Sequence, residues 1–523
     1  MEFDFWLKII GLELHLQGLL RAGDFAMMKL PMKKFYITTP IYYVNDVPHV
    51  GHAYTTVVAD VLSRYYKTAG REVFFLTGVD EHGAKVAEAA KTAGKSPGDF
   101  VDDLAPRFKE TWKNLNIIYS EFFRTTNPKH EVEVQKFISE LKDLGFIEKR
   151  KYEGLYCTGC EKFLMPDELI DGCCPDHGEK PEKHSEENYF FLLSKFGDKL
   201  LSIIESGTVE ILPESRKNEI VSKIKQGLED VSISRQKVEW GIPFPDDESQ
   251  TIYVWIDALF NYFSAEKIYF SNCHAELDSV SNEIPKQVRG DYAVWPPDIQ
   301  LMAKDILWFH AVIWPAMLLA LDLPLPKKIF AHGFFTVNGQ KMSKTRGNVL
   351  DPNKLVEKFG ADAVRYCLLR QFPFGEDGDI SEEKIATRYQ SELSNGIGNL
   401  VQRTISMIIR YDCHPEQSEG SLDSSPPIAD QNDKIEKLIQ DLKFDQALQE
   451  INSEVTRLNQ YIEENKPWEL AKSNKEKLVV VLSKVHQSLI GLVVLLSPFM
   501  PETAEKMKKQ LETLKPKPLF PRK

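Results

Sequence analysis

The stretch from Lys34 to Thr77, KFYITTPIYYVNDVPHVGHAYTTVVADVLSRYYKTAGREVFFLT, decides the fold class. Lys34 to Thr39 reads as a short buried strand. Val57, Val58, Val61, Leu62 and Tyr65 then recur at helical spacing until Gly70, and Val73 to Thr77 reads as a second strand. Regular structure is expected to begin near Met32. Further along, Phe100, Leu104, Phe108, Trp112 and Leu115 predict one helix, and Phe137, Leu141 and Leu144, ending at Gly145, predict another. Strands alternating with helices imply a parallel sheet covered on both faces.

With 523 residues, 42% hydrophobic and 27% charged, the chain can bury several cores and divides into three or four domains. A formal charge of -12 argues against indiscriminate nucleic-acid binding. From Asn465 onward, however, twelve Lys and Arg face five Glu, so a local basic surface is available there. The first residues carry Glu2 and Asp4 where a secretory signal would be positive, and no signal peptide is read. Leu478 to Met500 is strongly apolar but interrupted by Lys484, His486 and Gln487, which suits a bundle helix better than a membrane span. Beyond Ser381 nearly every apolar residue falls at helical spacing. Ser271 to Asp291 and Asp412 to Pro427 are polar and aperiodic, and read as inserted surface loops. Both open on Cys-His-x-Glu, at Cys273 and Cys413, which suggests a repeated cassette or a metal site bridging them.

Of seven cysteines, four lie between Cys157 and Cys174. Cys157 and Cys160 form a CxxC, and Cys174 and His177 a CxxH; two such pairs suit a closed tetrahedral zinc site in a reducing compartment. Cys173 is the alternative to Cys174. His49-Val50-Gly51-His52 falls at a strand-to-helix junction, where backbone N–H groups favour phosphate. Two histidines three apart at a helix start also read simply as caps. Lys341-Met342-Ser343-Lys344-Thr345 follows Gly339 and forms a cationic turn suited to the charge on a transferring phosphate, or to plain solvation.

Together these two elements resemble the signatures of class I aminoacyl-tRNA synthetases. The blocks Thr38 to Asn45, Gly78 to Gly83, Tyr253 to Ala258 and Lys304 to His310 resemble those of the methionyl-tRNA synthetases of bacterial type, along nearly the whole chain from Met32. The resemblance implies a Rossmann-type, doubly wound α/β parallel sheet split by a zinc-knuckle insertion and followed by an all-α anticodon-binding bundle. It implies activation of methionine by ATP to methionyl-adenylate and pyrophosphate, then transfer to the 3′ end of a methionine tRNA. By resemblance His49, Gly51, His52, Lys304, Asp305, Lys341 and Lys344 contact ATP, with His49, His52, Lys341, Lys344 and Arg235 serving catalysis and Mg²⁺ accompanying the nucleotide. Ile41, Tyr43, Trp255, Ala258, Leu259, Tyr262, Ile306 and His310 would line the methionine pocket, and Asp80 would take the ammonium group. An aromatic pocket with one carboxylate matches a polarisable thioether amino acid. Asn399, Arg403 and Trp468 resemble anticodon readers; an indole stacks on an unpaired base while Asn and Arg bond its edge. Core packing is the plain alternative for Trp468.

The expected layout is an extension outside the fold (1–31), two catalytic halves (32–147 and 251–335, with the loop 271–291), a zinc-bearing connective insertion (148–250), a stem-contact segment with the lysine loop (336–388), and the anticodon bundle (389–523, with the loop 412–427). A cytoplasmic monomer that binds tRNA and no membrane is expected. Three departures from the family pattern stand out: Thr345 for a serine, Ala303 for a glycine, and the loop beginning at Ser271.

Overall fold

In the computed structural model, residues 33–157, 162–164, 169–175, 178–236, 238–278, 294–342, 347–413 and 429–522 are described. Lys34–Tyr43 form the central strand β1, in which every side chain from Phe35 to Pro40 is buried. Burial on both faces is what a strand in the middle of a parallel sheet requires. The strand runs past its expected end at Thr39. Pro40 has no N–H to give the ladder, and the register against β2 (Glu72–Asp80) shifts between Thr38 and Ile41, where that donor would be missed.

Four further strands, β3 (Glu121–Arg124), β4 (Glu210–Leu212), β5 (Ile299–Ala303) and β6 (Lys328–His332), complete one sheet in the order β3-β2-β1-β5-β6-β4. All of its pairings are parallel. Gly78 in β2 is a packing requirement, because a Cβ there would fall 2.2 Å from the Phe123 carbonyl oxygen of β3. Helices cover both faces. One face holds α1 (Val50–Thr68), with Val57, Leu62, Phe108 and Trp112 in its core. The other holds α2 (Pro128–Asp143) and α3 (Val254–Asp278), with Phe137, Phe260 and Trp314 beneath them.

Between α2 and α3 the chain builds a four-stranded antiparallel sheet from Lys162–Leu164, Ile147–Cys157, Glu182–Phe191 and Val231–Ser232. Here the structure departs from the reading of 148–250 as a separate insertion, because β4 lies within it and pairs with β6 at the edge of the main sheet. Only Ile211 of this three-residue strand is fully buried, too little patterning to reveal it in sequence. The loop expected from Ser271 also differs, since α3 continues as helix to Asp278. The remainder of that loop, most of 412–427 and the extension 1–31 lie outside the described residues.

The helical part includes α4 (Ala361–Arg370), α5 (Asn399–Arg410), α6 (Phe444–Asn465), α7 (Pro467–Ser473), α8 (Lys475–Leu496) and α9 (Pro501–Thr513). Its core is continuous with that of the α1 face, running through Val364, Leu368, Leu448 and Leu489. By length and composition α8 could cross a membrane, yet Leu478, Val481, Leu482, Val485, Leu489 and Leu492 are buried within the bundle.

Candidate active site

The order of the sheet reverses between β1 and β5, and in open α/β sheets ligands bind beyond the carboxyl ends of the strands at such a point. His49 and His52 follow β1, Asp80 ends β2, Lys304 and Asp305 follow β5, and His332 ends β6.

His49 is the N-cap of α1. Its Nδ1 accepts from Gly51 N–H at 3.0 Å, and His52 Nδ1 accepts from His49 N–H at 3.3 Å. The two rings stack with centroids 3.8 Å apart. An acceptor nitrogen is unprotonated, so each neutral ring carries its proton on Nε2. Burial pushes His49 down to about 4 and His52 well below its usual value, with the neighbouring His49 adding to the shift on His52. The histidines are therefore both caps and uncharged N–H donors at a helix N-terminus. Gly51 serves His49 directly, because a Cβ would meet His49 Cε1 at 2.9 Å.

The lysine motif, almost three hundred residues downstream, comes to the same place. Val50 N–H donates to Leu350 O at 3.0 Å, and a Cβ on Gly51 would stand 3.9 Å from Met342 Cε. Both ends of the lysine loop thus rest on the start of α1. Its root is a tight hairpin between Phe335–Val337 and Gln340–Lys341, with Asn338 and Gly339 at φ of 52° and 73°. Asp379 accepts from Gly339 N–H at 2.6 Å and Thr336 Oγ1 at 2.7 Å, and pairs with Lys384. Lys344 lies outside the described residues; for Lys341 the backbone alone is described, paired with Thr336. Lys304 is held by Asp377 at 2.7 Å and Asp305 is exposed. Ala303 sits at φ -81°, ψ 155°, a conformation open to any residue, so the backbone here imposes no need for the glycine of the family pattern.

Beside these groups lies an aromatic cluster. Trp255, Ala258, Leu259 and Tyr262 share one face of α3 at i, i+3, i+4 and i+7, just after the strand Asp247–Ile252 ends. Tyr262 Oη donates to His310 Nε2 at 2.7 Å, and His310 Nδ1 donates to Ile306 O at 2.9 Å. Burial pushes His310 down to about 4. Trp255 stacks on Phe309 at 4.1 Å, and Tyr43, Trp255 and Ile306 are partly buried against the same core. Tyr43 pairs in register with Asp80. Ile41, two residues before Tyr43 on β1, is partly exposed. Arg235 lies on this side too, lining a hollow with His82, Gly83, Trp240 and Tyr253. Its guanidinium sits 4.0 Å over Tyr253 and donates to Ser234 O at 2.8 Å.

Residues 35–180 and 176–405 match the family "tRNA synthetases class I (M)", and residues 428–519 match "Anticodon-binding domain of tRNA ligase". The methionine–tRNA ligase of Caldanaerobacter subterraneus is 46% identical over 92% of this chain and 74% of its own length. This chain belongs to the methionine–tRNA ligase family. The enzyme of Thermotoga maritima is 43% identical, over 91% of this chain and 74% of its own length. A solved structure of Mycobacterium tuberculosis methionyl-tRNA synthetase in complex with methionyl-adenylate superposes with a TM-score of 0.82 at 34% identity, covering 94% of this chain and 98% of that one.

Two further groups of residues bear on a ligase of this family. Cys157 and Cys174 are buried in one small cluster with Leu164, and neither is in a disulfide. Cys173 is more exposed and lies outside that cluster. Cys160 and His177 lie outside the described residues. In the bundle, Asn399 is exposed, Arg403 sits 5.7 Å over the half-buried Trp468 ring, and Arg403 pairs with Glu463 at 2.6 Å.

Sequence reasoning gave no role to three buried arrangements. Asp257 lies between His82 and His130. His332 Nε2 accepts from Thr55 Oγ1 at 2.6 Å. Arg365 of α4 pairs with Asp60 of α1. Their signal was a polar residue inside an apolar run, as at Asp257 in Val254 to Phe260; the partners lie far off in sequence and cannot be read from it.

Proposed function

We propose that this chain is a methionine–tRNA ligase that forms methionyl-adenylate from methionine and ATP and then charges a methionine tRNA. The observation that carries this reading is the convergence of the histidine and lysine motifs on the start of α1, on the same side of the sheet as the aromatic cluster and the Asp80 carboxylate. The methionine carboxylate attacks the α-phosphate of ATP and pyrophosphate leaves. Catalysis is positioning and charge stabilisation, with no covalent enzyme intermediate.

In this reading His49 and His52 direct Nε2–H at the transferring phosphate while the N-terminus of α1 adds its dipole. Because both rings stay neutral, they donate without needing a proton from solvent. Lys341 and Lys344 hold the leaving pyrophosphate, and Arg235 supports the same step from the Tyr253 side. Gly51, Lys304 and Asp305 receive the nucleotide, with Lys304 exchanging Asp377 for it, and Mg²⁺ travels with the triphosphate. Ile41, Tyr43, Trp255, Ala258, Leu259, Tyr262, Ile306 and His310 enclose the thioether, and Asp80 takes the ammonium group. Asn399, Arg403 and Trp468 read the anticodon.

A structural zinc held by Cys157, Cys160, Cys174 and His177 fits the two free thiols that share one small buried cluster; such an ion would staple the insertion and take no part in the reaction. In this reading the chain divides into catalytic halves, insertion, lysine-loop segment and bundle, with β4 of the insertion pairing in the catalytic sheet. We place the enzyme in the cytoplasm as a monomer away from membranes. Amino-acid-dependent exchange of pyrophosphate into ATP, run over a panel of apolar amino acids, tests the reading. Methionine should support exchange; activity with isoleucine or cysteine instead would overturn it.

A further inference from the structure

Asp257 projects from α3 on a different face from Trp255, Ala258, Leu259 and Tyr262, and is 1% exposed. His82 Nδ1 reaches its Oδ2 at 2.7 Å, and His130 Nε2 reaches its Oδ1 at 2.6 Å. The other His130 nitrogen lies 2.6 Å from Ser264 Oγ, two turns further along α3. His82 stands two residues beyond Asp80, and His130 lies in the first turn of α2. Around His82, the Trp240 ring packs at 5.5 Å, and Trp240 Nε1 donates to Glu81 O at 2.6 Å. Three separate segments, among them the end of β2 and the start of α3, thus meet on one carboxylate.

Ser264, His130 and Asp257 have the composition and order of a hydrolytic triad. The two side chains flanking the imidazole are sealed with it, at 0%, 0% and 1% exposure for Ser264, His130 and Asp257, so no substrate can reach the hydroxyl. A nucleophilic role is therefore excluded, and a structural charge remains. Burial alone would raise the Asp257 carboxyl, but His82 and His130 outweigh it and hold it below its usual range. Burial alone would lower His82, and the facing carboxylates of Asp257, Glu131 and Glu81 raise it instead. The pieces are fixed to one another by charge-assisted hydrogen bonds in a water-free setting, where such bonds are strongest.

We propose that Asp257 is a positioning residue for the amino-acid half of the active site, locking Asp80 through His82, and the Trp255–Tyr262 face through α3 itself, into one rigid frame. The proposal rests on the methionine pocket assigned above. Substrate groups must be held to a fraction of an ångström, and misplacement by about 1 Å costs up to about 100-fold. Asp257→Asn keeps the shape but turns an amide N–H toward one imidazole N–H, which breaks one of the two bonds.

The test uses the full chain. Methionine affinity is measured by calorimetry without ATP, and KM for methionine and for ATP by pyrophosphate exchange. Asp257→Asn is expected to weaken methionine ~10- to 100-fold while ATP KM moves less than ~3-fold. His130→Gln, whose amide nitrogen can replace Nε2–H, should stay within ~3-fold of wild type, whereas His130→Ala should resemble Asp257→Asn. Unchanged methionine affinity in Asp257→Asn, or equal loss toward methionine and ATP, would overturn the proposal. If Asp257→Asn fails to fold, equal behaviour of the two His130 variants overturns it. Wild-type protein that binds no methionine would refute the pocket assignment instead.

Discussion

Replacing Arg365 by Met should uncouple the helical bundle from the catalytic sheet. The guanidinium is 0% exposed and its Nη1 lies 2.7 Å from Asp60 Oδ2, itself fully buried on α1. It also donates to Phe499 O and Pro498 O at 2.9 Å each, in the turn between α8 and α9, and to Leu115 O at 3.2 Å. Met fills much of the volume but satisfies none of these acceptors. Removing one partner of a buried ion pair costs about 3–5 kcal/mol. Each carbonyl left without a partner in a dry interior adds about 1–3 kcal/mol unless it relaxes toward water. Asp60 keeps Arg64 Nε at 2.7 Å and Ile118 N–H at 2.9 Å, which limits the penalty on its own side. The expected loss is therefore about 5 kcal/mol, with the carbonyl contributions partly relieved. Urea unfolding followed by circular dichroism gives the total, and hydrogen exchange at residues 497–503 reports whether the turn opens first. Asp60→Asn combined with Arg365→Met should cost less than the sum of the two single changes, by about 2 kcal/mol, because the pair is in direct contact. A loss under about 1 kcal/mol, or strict additivity, would refute the view that this pair ties the two parts together.

His49→Asn retains a cap for Gly51 N–H but removes the Nε2 donor, so stability should change by less than about 0.5 kcal/mol while methionine-dependent exchange falls ~100-fold or more; a parallel loss of both would mean the histidine is only a cap. His332, pushed down to about 4 by burial, stays neutral in the fold while the unfolded chain takes up a proton below about pH 6.5, so stability must fall as pH drops through that window. Its share at about pH 5 is about 2 kcal/mol, and the decline between about pH 7 and pH 5 should shrink by that amount in His332→Gln; an unchanged decline would contradict a neutral His332. Lys344→Ala should cripple pyrophosphate exchange, whereas Trp468→Ala should spare exchange and impair tRNA charging. Equal losses of exchange in the two variants would refute that division. Chelation of zinc should loosen the insertion, detected as faster hydrogen exchange in residues 147–191, while the sheet from β1 to β6 keeps its protection; unaltered exchange would argue against a bound ion.

What the amino-acid sequence determined by itself was whatever short-range pattern can encode. The helical period of Val57 to Tyr65, the buried run at the start of β1 and the two phosphate-side motifs were all legible, because backbone periodicity and local charge depend only on near neighbours. The family likeness then supplied the pocket residues proposed above. Tertiary structure decided the rest. It gathered Trp255, Ala258, Leu259 and Tyr262 onto one helical face, returned Glu210–Leu212 to the main sheet, and rested Met342 and Leu350 against Gly51 and Val50. It also placed Asp257 between two histidines that lie 127 and 175 residues away. Each of these depends on which distant groups share a water-free volume, and a buried charge acquires its partner only when the chain has closed around it.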